Sequence, residues 1–194
     1  MIQTGSTAAR AAADDLIRNG HEVAVCHPDG EAACVALSGG RCPLDTAPID
    51  AAVVVRSMPS PCPLPLEDGV ACAARRGLPL VVAGEPAGHP FTAWASAEEE
   101  GTSVAATVET VVAAPLPKLS MLATATLRHA LATRGITGSA ARVEVRRHHG
   151  GAFAEIIGAG DLSRSSRAAC SVRVAAAVRA HDPWARNVDV VVRA

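Results

Sequence analysis

A short run of small and hydroxyl residues near the start of the chain has the composition of an anion-binding turn. Thr4-Gly5-Ser6-Thr7 stands directly before an Ala-rich segment, Ala8–Leu16, whose apolar residues recur at helical spacing. The first turn of an α-helix carries unpaired N–H groups and a partial positive charge, so it favours a phosphate or another anion. The sequence therefore predicts that Gly5, Ser6 and Thr7 bind a small anionic ligand.

The segment that follows this turn resembles the opening of a Rossmann-like nucleotide-binding domain. The predicted helix ends at Asn19-Gly20, and the Val-rich run Glu22–Cys26 follows as a strand. The resemblance covers roughly residues 1–90. The family's G-x-G-x-x-G pattern is degenerate here, because Gly5 is its one remaining glycine.

This resemblance implies a nucleotide- or CoA-type ligand at the glycine turn. The family places an acidic residue after the second strand, where it contacts the ribose hydroxyls, and Asp29 is the candidate in this chain. The implied ligand-binding set is therefore Gly5, Ser6, Thr7 and Asp29. An NAD-like ligand, a CoA-like or other nucleotide, and a scaffold that binds no nucleotide remain open at this point.

Four of the six cysteines suggest a second kind of site. They are separated by seven, nineteen and nine residues, without a C-x2-C pair, and they are Cys34, Cys42, Cys62 and Cys72. Four thiolates can bind zinc or an iron–sulfur cluster, which would make the chain a metal or redox protein. The alternative interpretation is that these cysteines are small structural residues with free thiols.

The histidines offer weaker candidates for acid–base chemistry. His148 and His149 are adjacent, so on a strand they would point to opposite faces and form a poor chelating pair. We expect them in a solvated turn. His27 and His89 lie in predicted loops that could reach a ligand crevice, where an imidazole could act as an acid or a base near neutral pH. The sequence assigns no reaction.

Charge is distributed unevenly along the chain. Residues 1–114 hold 6 basic and 14 acidic residues, whereas residues 115–194 hold 12 basic and 5 acidic residues. The two halves could attract each other within or between chains, which allows a homo-oligomer. Alternatively, the basic half could be an interaction module for nucleic acid or for an acidic protein. A nucleic-acid partner is not favoured, since Phe153 is expected in the core and cannot stack on bases.

The first residues have neither a basic n-region nor an apolar h-region, and no run approaches the roughly 18 apolar residues of a membrane-spanning helix. We therefore expect a cytoplasmic protein with no membrane partner. Cysteines in that compartment remain reduced unless they bind a metal.

Short apolar runs alternate with helical segments in the first half, which predicts an α/β domain with a parallel sheet. We assign residues 1–114 to a Rossmann-like three-layer domain. The expected helices are 6–18, 31–37, 66–76 and 104–114, and the expected strands are 22–26, 51–56 and 78–83. Glu98-Glu99-Glu100 is expected to be a solvated charge run.

Pro115-Leu116-Pro117 marks the predicted boundary to a smaller α+β domain over residues 119–194. This domain should consist of a helix, a hairpin, a second helix and a closing strand. The helices are expected at 119–134 and up to residue 180, and the strands at 141–147, 152–157 and 187–192, with Gly150-Gly151 as the hairpin turn. Five valines should form its core and four arginines should face outward: Val143, Val145, Val174, Val190 and Val192, and Arg164, Arg167, Arg173 and Arg179.

Overall fold

The chain folds into two compact units. The computed structural model describes residues 6–28, 31, 33–84, 88–99, 103–136 and 140–193. Unit 1 is Met1–Val112 and unit 2 is Ala113–Ala194. The division falls a few residues before the Pro115-Leu116-Pro117 segment at which the sequence predicts a boundary.

Unit 1 is built around a three-stranded parallel sheet, sheet A, in the order β1-β2-β3. The predicted α/β class and the predicted parallel pairing of the two apolar runs are thereby confirmed. The elements are α1 (Thr7–Arg18), α2 (Pro43–Thr46), β1 (Ala52–Arg56), α3 (Gly69–Arg75), β2 (Leu80–Gly84), β3 (Ala97–Glu99) and α4 (Val104–Ala113).

Helices cover both faces of sheet A, because β1 and β2 are each apolar at every position except the last. Successive side chains of a strand point to opposite faces, so a continuous Val-rich run supplies two cores. One face packs against α1 and α4 through Ala9, Ala12, Leu16, Val53, Val55, Val81, Ala83, Ala105, Val108 and Val111. The other face packs against α3 through Ala52, Val54, Val70, Ala73, Leu80, Val82 and Phe91.

The predicted strand at 22–26 is wrong, since this segment is not part of sheet A. Residues 21–25 have no regular secondary structure, although Val23 packs against the α1 face of the sheet and Cys26 is buried. Apolar composition predicts burial of such a segment. A strand also requires a neighbouring strand in register, which composition does not report.

The predicted short helix at 31–37 is also wrong, because a hydrogen-bonded turn over residues 35–39 replaces it. Leu37 N donates to Cys34 O at 2.8 Å, and Gly40 N donates to Val35 O at 2.9 Å. The Leu37 residue is 81% exposed. A helix of this length is marginal without a buried apolar face, and this segment does not provide one.

Part of the predicted solvated charge run is instead the third strand of sheet A. Ala97 pairs with Val81 and Glu99 pairs with Ala83, in parallel register. Glu98 is exposed and Glu99 is half-buried. Charged side chains on an edge strand discourage pairing with other chains, so acidic residues are compatible with this position.

Side-chain oxygens cap the N-termini of α1 and α4. Ser6 Oγ accepts a hydrogen bond from Ala9 N at 3.0 Å. Asp15, on α1, accepts from Ala105 N at 3.0 Å and from Ser103 Oγ at 3.2 Å. The Ala105 N–H is the main reason that the pKa of Asp15 lies below its ordinary value. This carboxylate therefore joins the two helices that share one face of sheet A.

The helical stretch Val104–Ala132 is long and apolar enough to cross a membrane, judged by length and composition alone. Glu109 and Lys118 lie within this stretch, so it is not a continuous apolar run, and the expectation of no membrane partner stays a prediction. Residues 114–116 interrupt the stretch and divide it into α4 and a further helix, α5 (Pro117–Ala132), which belongs to unit 2. Each of the two helices buries one face in the core of its own unit.

Unit 2 consists of α5, β4 (Arg142–His148), β5 (Gly151–Ile157), α6 (Arg164–His181) and β6 (Val188–Val192). Its sheet B has the order β4-β5-β6, with an antiparallel first pair and a parallel second pair. The order of elements matches the predicted helix, hairpin, helix and strand. Both helices pack on one face of sheet B through Ala123, Leu127, Ala130, Leu131, Val143, Val145, Ala154, Ile156, Cys170, Val174 and Val178.

Three of the five predicted core valines are buried, whereas Val190 and Val192 are half-buried and pack against the same cluster. The predicted core position of Phe153 is wrong. This residue alternates with Ala152 and Ala154, which point to the helices, so it lies half-buried on the opposite face of sheet B.

The turn of the β4–β5 hairpin is shifted by one residue from the predicted Gly150-Gly151. His148 pairs with Gly151, so the two loop residues are His149 and Gly150, with φ of 49° and 69°. Positive φ at both positions is typical of a type I′ turn, which matches the twist of the flanking strands. Gly151 is a strand residue, and a Cβ there would lie 1.9 Å from Asn187 Oδ1.

We expect Gly84→Ala to destabilise unit 1 more than Gly20→Ala does. Both glycines have positive φ, 94° and 85°, which costs about 1 kcal/mol for an L residue. A Cβ at Gly84 would also lie 2.0 Å from Arg56 O, whereas one at Gly20 meets no atom within 4 Å. Urea unfolding should show an additional loss of about 2 kcal/mol for Gly84→Ala. Equal losses would contradict the steric argument.

Candidate functional site

Two of the four ligand-binding residues predicted from the sequence lie within the described part of the chain. Ser6 is the N-cap of α1 and Thr7 is its exposed first residue. Gly5 and Asp29 lie outside the described residues. The Ser6 hydroxyl already accepts a hydrogen bond from Ala9 N, so its oxygen serves the helix. The remaining first-turn N–H groups are those that a helix cannot pair internally.

A buried ion pair stands at the carboxyl end of β1. Arg56, the last residue of that strand, is 2% exposed, and Glu67 in the 3₁₀ turn Pro65–Glu67 is 1% exposed. Arg56 Nε donates to Glu67 Oε1 at 2.5 Å, and Arg56 Nη2 donates to Glu67 Oε2 at 2.5 Å. This bidentate geometry gives a guanidinium–carboxylate pair both energy and direction.

The same two side chains hold the loop between β1 and α3. Arg56 also donates to Ser60 O and, at 2.8 Å, to Cys62 O, while Glu67 Oε2 accepts from Leu64 N at 2.8 Å. Three loop residues are therefore fixed by a charge pair. Neither Arg56 nor Glu67 is among the site residues predicted from the sequence. The available signal was an arginine directly after three valines of a buried strand, because a buried charge requires a partner.

His89 lies in the segment that follows β2, where the charge of Arg56 still acts on it. It is 5% exposed, and its Nδ1 accepts a hydrogen bond from Phe91 N at 3.3 Å. Burial, followed by the positive charge of Arg56, lowers the pKa of His89 below its ordinary value. The ring is thus neutral with its proton on Nε2. That N–H donor has no hydrogen-bond partner among the described residues.

An aromatic series leads from this histidine to the surface. The ring centroids of His89 and Phe91 are 5.5 Å apart, and those of Phe91 and Trp94 are 5.9 Å apart. Phe91 is buried and Trp94 is 58% exposed. The chain has only two Trp, two Phe and no Tyr, so half of these aromatic residues lie in this one segment. An exposed indole can stack on a planar ligand group.

The structure does not gather the cysteines into a metal site. Cys34, Cys42, Cys62 and Cys72 are all free thiols, and Cys62 and Cys72 are exposed. Within the described ranges, no three His, Cys, Asp or Glu side chains are grouped so that they could hold a metal ion. The metal alternative therefore has no support from the arrangement of these side chains.

Cys26 lines a small depression between α2 and α3, together with Ala24, Leu44, Ile49 and Ala73. Burial raises the pKa of the Cys26 thiol, which disfavours the reactive thiolate. The side chains named here are otherwise apolar and provide no partner for an anion. We therefore place the candidate site at the carboxyl edge of sheet A and not in this depression.

The other histidines named from the sequence serve local structure. His27 is buried, and its Nδ1 lies 3.0 Å from Glu31 O. His148 and His149 are exposed at the hairpin turn, with ring centroids 4.2 Å apart. Both residues are exposed as expected, but His148 is the last residue of β4 and His149 alone of the two lies in the turn.

Comparison with family models, with curated proteins and with solved structures finds no match to this chain. The described edge offers a neutral N–H donor at His89, an exposed aromatic surface at Trp94, and a loop held rigid by Arg56 and Glu67. This combination can bind and orient a ligand that has a planar ring and a hydrogen-bond acceptor.

We expect Glu67→Gln to destabilise unit 1 by about 3–5 kcal/mol, because the buried Arg56 charge loses its counter-ion. The matched control is Asp45→Asn, which removes the partner of Arg76 from an ion pair whose carboxylate is 61% exposed. Exposed pairs contribute about 0–1 kcal/mol. Urea unfolding of both variants measures the difference. A loss for Glu67→Gln as small as for the control would show that the buried pair does not stabilise the fold.

The lowered pKa of His89 predicts a specific dependence of stability on pH. As pH falls below the ordinary value of 6.5, the unfolded chain binds the imidazole proton before the folded chain does. The wild-type protein should therefore lose stability on acidification relative to His89→Gln, with no such divergence above that value. Unfolding free energies at several pH values measure this, with the exposed His148→Gln as control. Parallel curves for wild type and His89→Gln would contradict it.

Proposed function

We propose that unit 1 is a Rossmann-like ligand-binding domain that binds a small anionic ligand of nucleotide or CoA type at the carboxyl edge of sheet A. The observation that carries this proposal is the buried Nε2–H of His89, which has no partner among the described residues. A buried donor left unsatisfied costs about 1–3 kcal/mol. A ligand acceptor at this atom would recover that free energy.

Neighbouring features agree with a ligand that has both a ring and a phosphate. The face of a purine ring can stack on the exposed indole of Trp94. Its ring nitrogens can accept a hydrogen bond from the Nε2–H of His89. In α/β proteins, ligands bind outside the carboxyl ends of parallel strands. Arg56 and Glu67 neutralise each other there, so the phosphate charge requires a different partner.

In this proposal the phosphate lies at the first turn of α1, beside Gly5, Ser6 and Thr7, and Asp29 contacts a ribose hydroxyl. Support for the first contact comes from the unpaired N–H groups and the partial positive charge of a helix start. Asp29 is included only because of the resemblance to Rossmann-like nucleotide-binding domains. We further propose a cytoplasmic location, in keeping with six cysteines that are all free.

Tryptophan fluorescence tests the proposal directly. The chain has two tryptophans, so Trp184→Phe leaves Trp94 as the sole reporter. Titration of this variant with ATP, CoA and NAD should change Trp94 emission for at least one of them. Adding His89→Gln should weaken that binding about tenfold, which corresponds to one lost hydrogen bond of about 1.4 kcal/mol.

Two further variants separate the parts of the proposed site. Gly5→Asp adds a carboxylate where the phosphate is proposed to lie, so it should weaken binding while circular dichroism shows an intact fold. His148→Gln removes an exposed imidazole from unit 2 and should leave affinity unchanged. Unchanged emission with all three ligands at millimolar concentration would contradict the nucleotide proposal. Equal affinity of wild type and Gly5→Asp would exclude the α1 turn as the phosphate site.

A further inference from the structure

The helical face of unit 2 carries basic residues and no acidic ones. Helices α5 and α6 together contain six lysine or arginine residues and neither Asp nor Glu. All six are exposed in the whole chain: Lys118, Arg128, Arg164, Arg167, Arg173 and Arg179. The predicted outward orientation of the four α6 arginines is therefore confirmed.

The described part of the chain provides no ion-pair partner for these six charges. None of the six forms a salt bridge in the described part of the chain. Four of the five acidic residues of unit 2 lie elsewhere, on the opposite face of sheet B or buried beside Arg147. The fifth, Asp161, precedes α6. We call the six exposed residues of α5 and α6 the basic helical layer.

We propose that the basic helical layer binds the phosphate backbone of nucleic acid, without reading its sequence. Helix α6 has 18 residues and so spans about 27 Å, which is several phosphate spacings along a duplex strand. Arginine, which supplies five of the six charges, binds phosphate through a planar fork of donors. Binding to the phosphate backbone does not require stacking on bases. The lack of Trp, Tyr and Phe on α5 and α6 is therefore compatible with this proposal.

A lipid surface fits this layer less well than nucleic acid does. A helix that binds a membrane inserts a continuous apolar face into the lipid interface. The apolar faces of α5 and α6 are already buried against sheet B, through Ala123, Leu127, Cys170 and Val174 among others. The exposed large apolar side chains of the two helices are Met121 and Val172, which are too few to form such a face.

Fluorescence anisotropy of the full-length chain with a labelled random-sequence DNA duplex tests this proposal. Each neutralised phosphate contributes about −0.9 to the slope of log K against log salt concentration. The double variant Arg173→Gln/Arg179→Gln should lower the magnitude of that slope by about 1.8 and weaken binding at least tenfold at low salt. Both residues are exposed on the helix, so melting curves should show a folded protein.

The matched control removes the same charge from the other face of sheet B. Arg142→Gln/Arg146→Gln takes away two arginines that contact Glu144, and it should change DNA affinity less than twofold. If both double variants lost the same DNA affinity, net charge alone would explain the binding, and the proposal would be overturned. The proposal would also be overturned if the wild-type protein did not bind DNA at low salt. It would be overturned as well if polyglutamate displaced the labelled DNA as effectively as unlabelled DNA does, because that result would indicate an acidic protein partner.

Discussion

The arrangement of unit 1 at its candidate site depends on one buried ion pair. β1 is buried along its whole length, yet it ends in an arginine, and a guanidinium in that position is unfavourable without a counter-charge. Glu67 supplies the charge from eleven residues further along the chain. Arg56 also donates hydrogen bonds to two loop carbonyls. The side chain whose charge Glu67 neutralises therefore also holds the loop. At the carboxyl end of β1, the loop that leads to α3 is therefore held in place by the ion pair.

Unit 2 uses the same device at the end of β4. Arg147 points to the helix-covered face of sheet B, where Val143 and Val145 also point, and its Nη1 lies 2.6 Å from Asp182 Oδ2. Each side chain is 3% exposed. Asp182 follows the last residue of α6, so the pair joins the end of a strand to the end of a helix. In a chain with few aromatic residues, two such pairs fix positions that small apolar side chains specify only loosely.

The sequence predicted those parts of the fold that follow from continuous patterns within one segment. The runs that became β1 and β2 are apolar at nearly every position, and α1, α4, α5 and α6 have caps or proline breaks that mark their ends. Failures occurred where the outcome depends on another segment. Residues 22–26 have strand composition but no place in sheet A, whereas the acidic 97–99 becomes a strand because β2 offers an unpaired edge.

The candidate sites divide in the same way. The residue count along the chain shows that the second half is basic, but only the packing of α5 and α6 on sheet B shows that both helices carry their charges on the same side of the sheet. The sequence places His89 in a predicted loop. Its chemical interest arises from three properties that no local pattern encodes: burial, an acceptor role for Nδ1 toward Phe91, and the nearby charge of Arg56. Burial without a partner depends on contacts between distant segments, so a motif search along the chain does not detect such a residue.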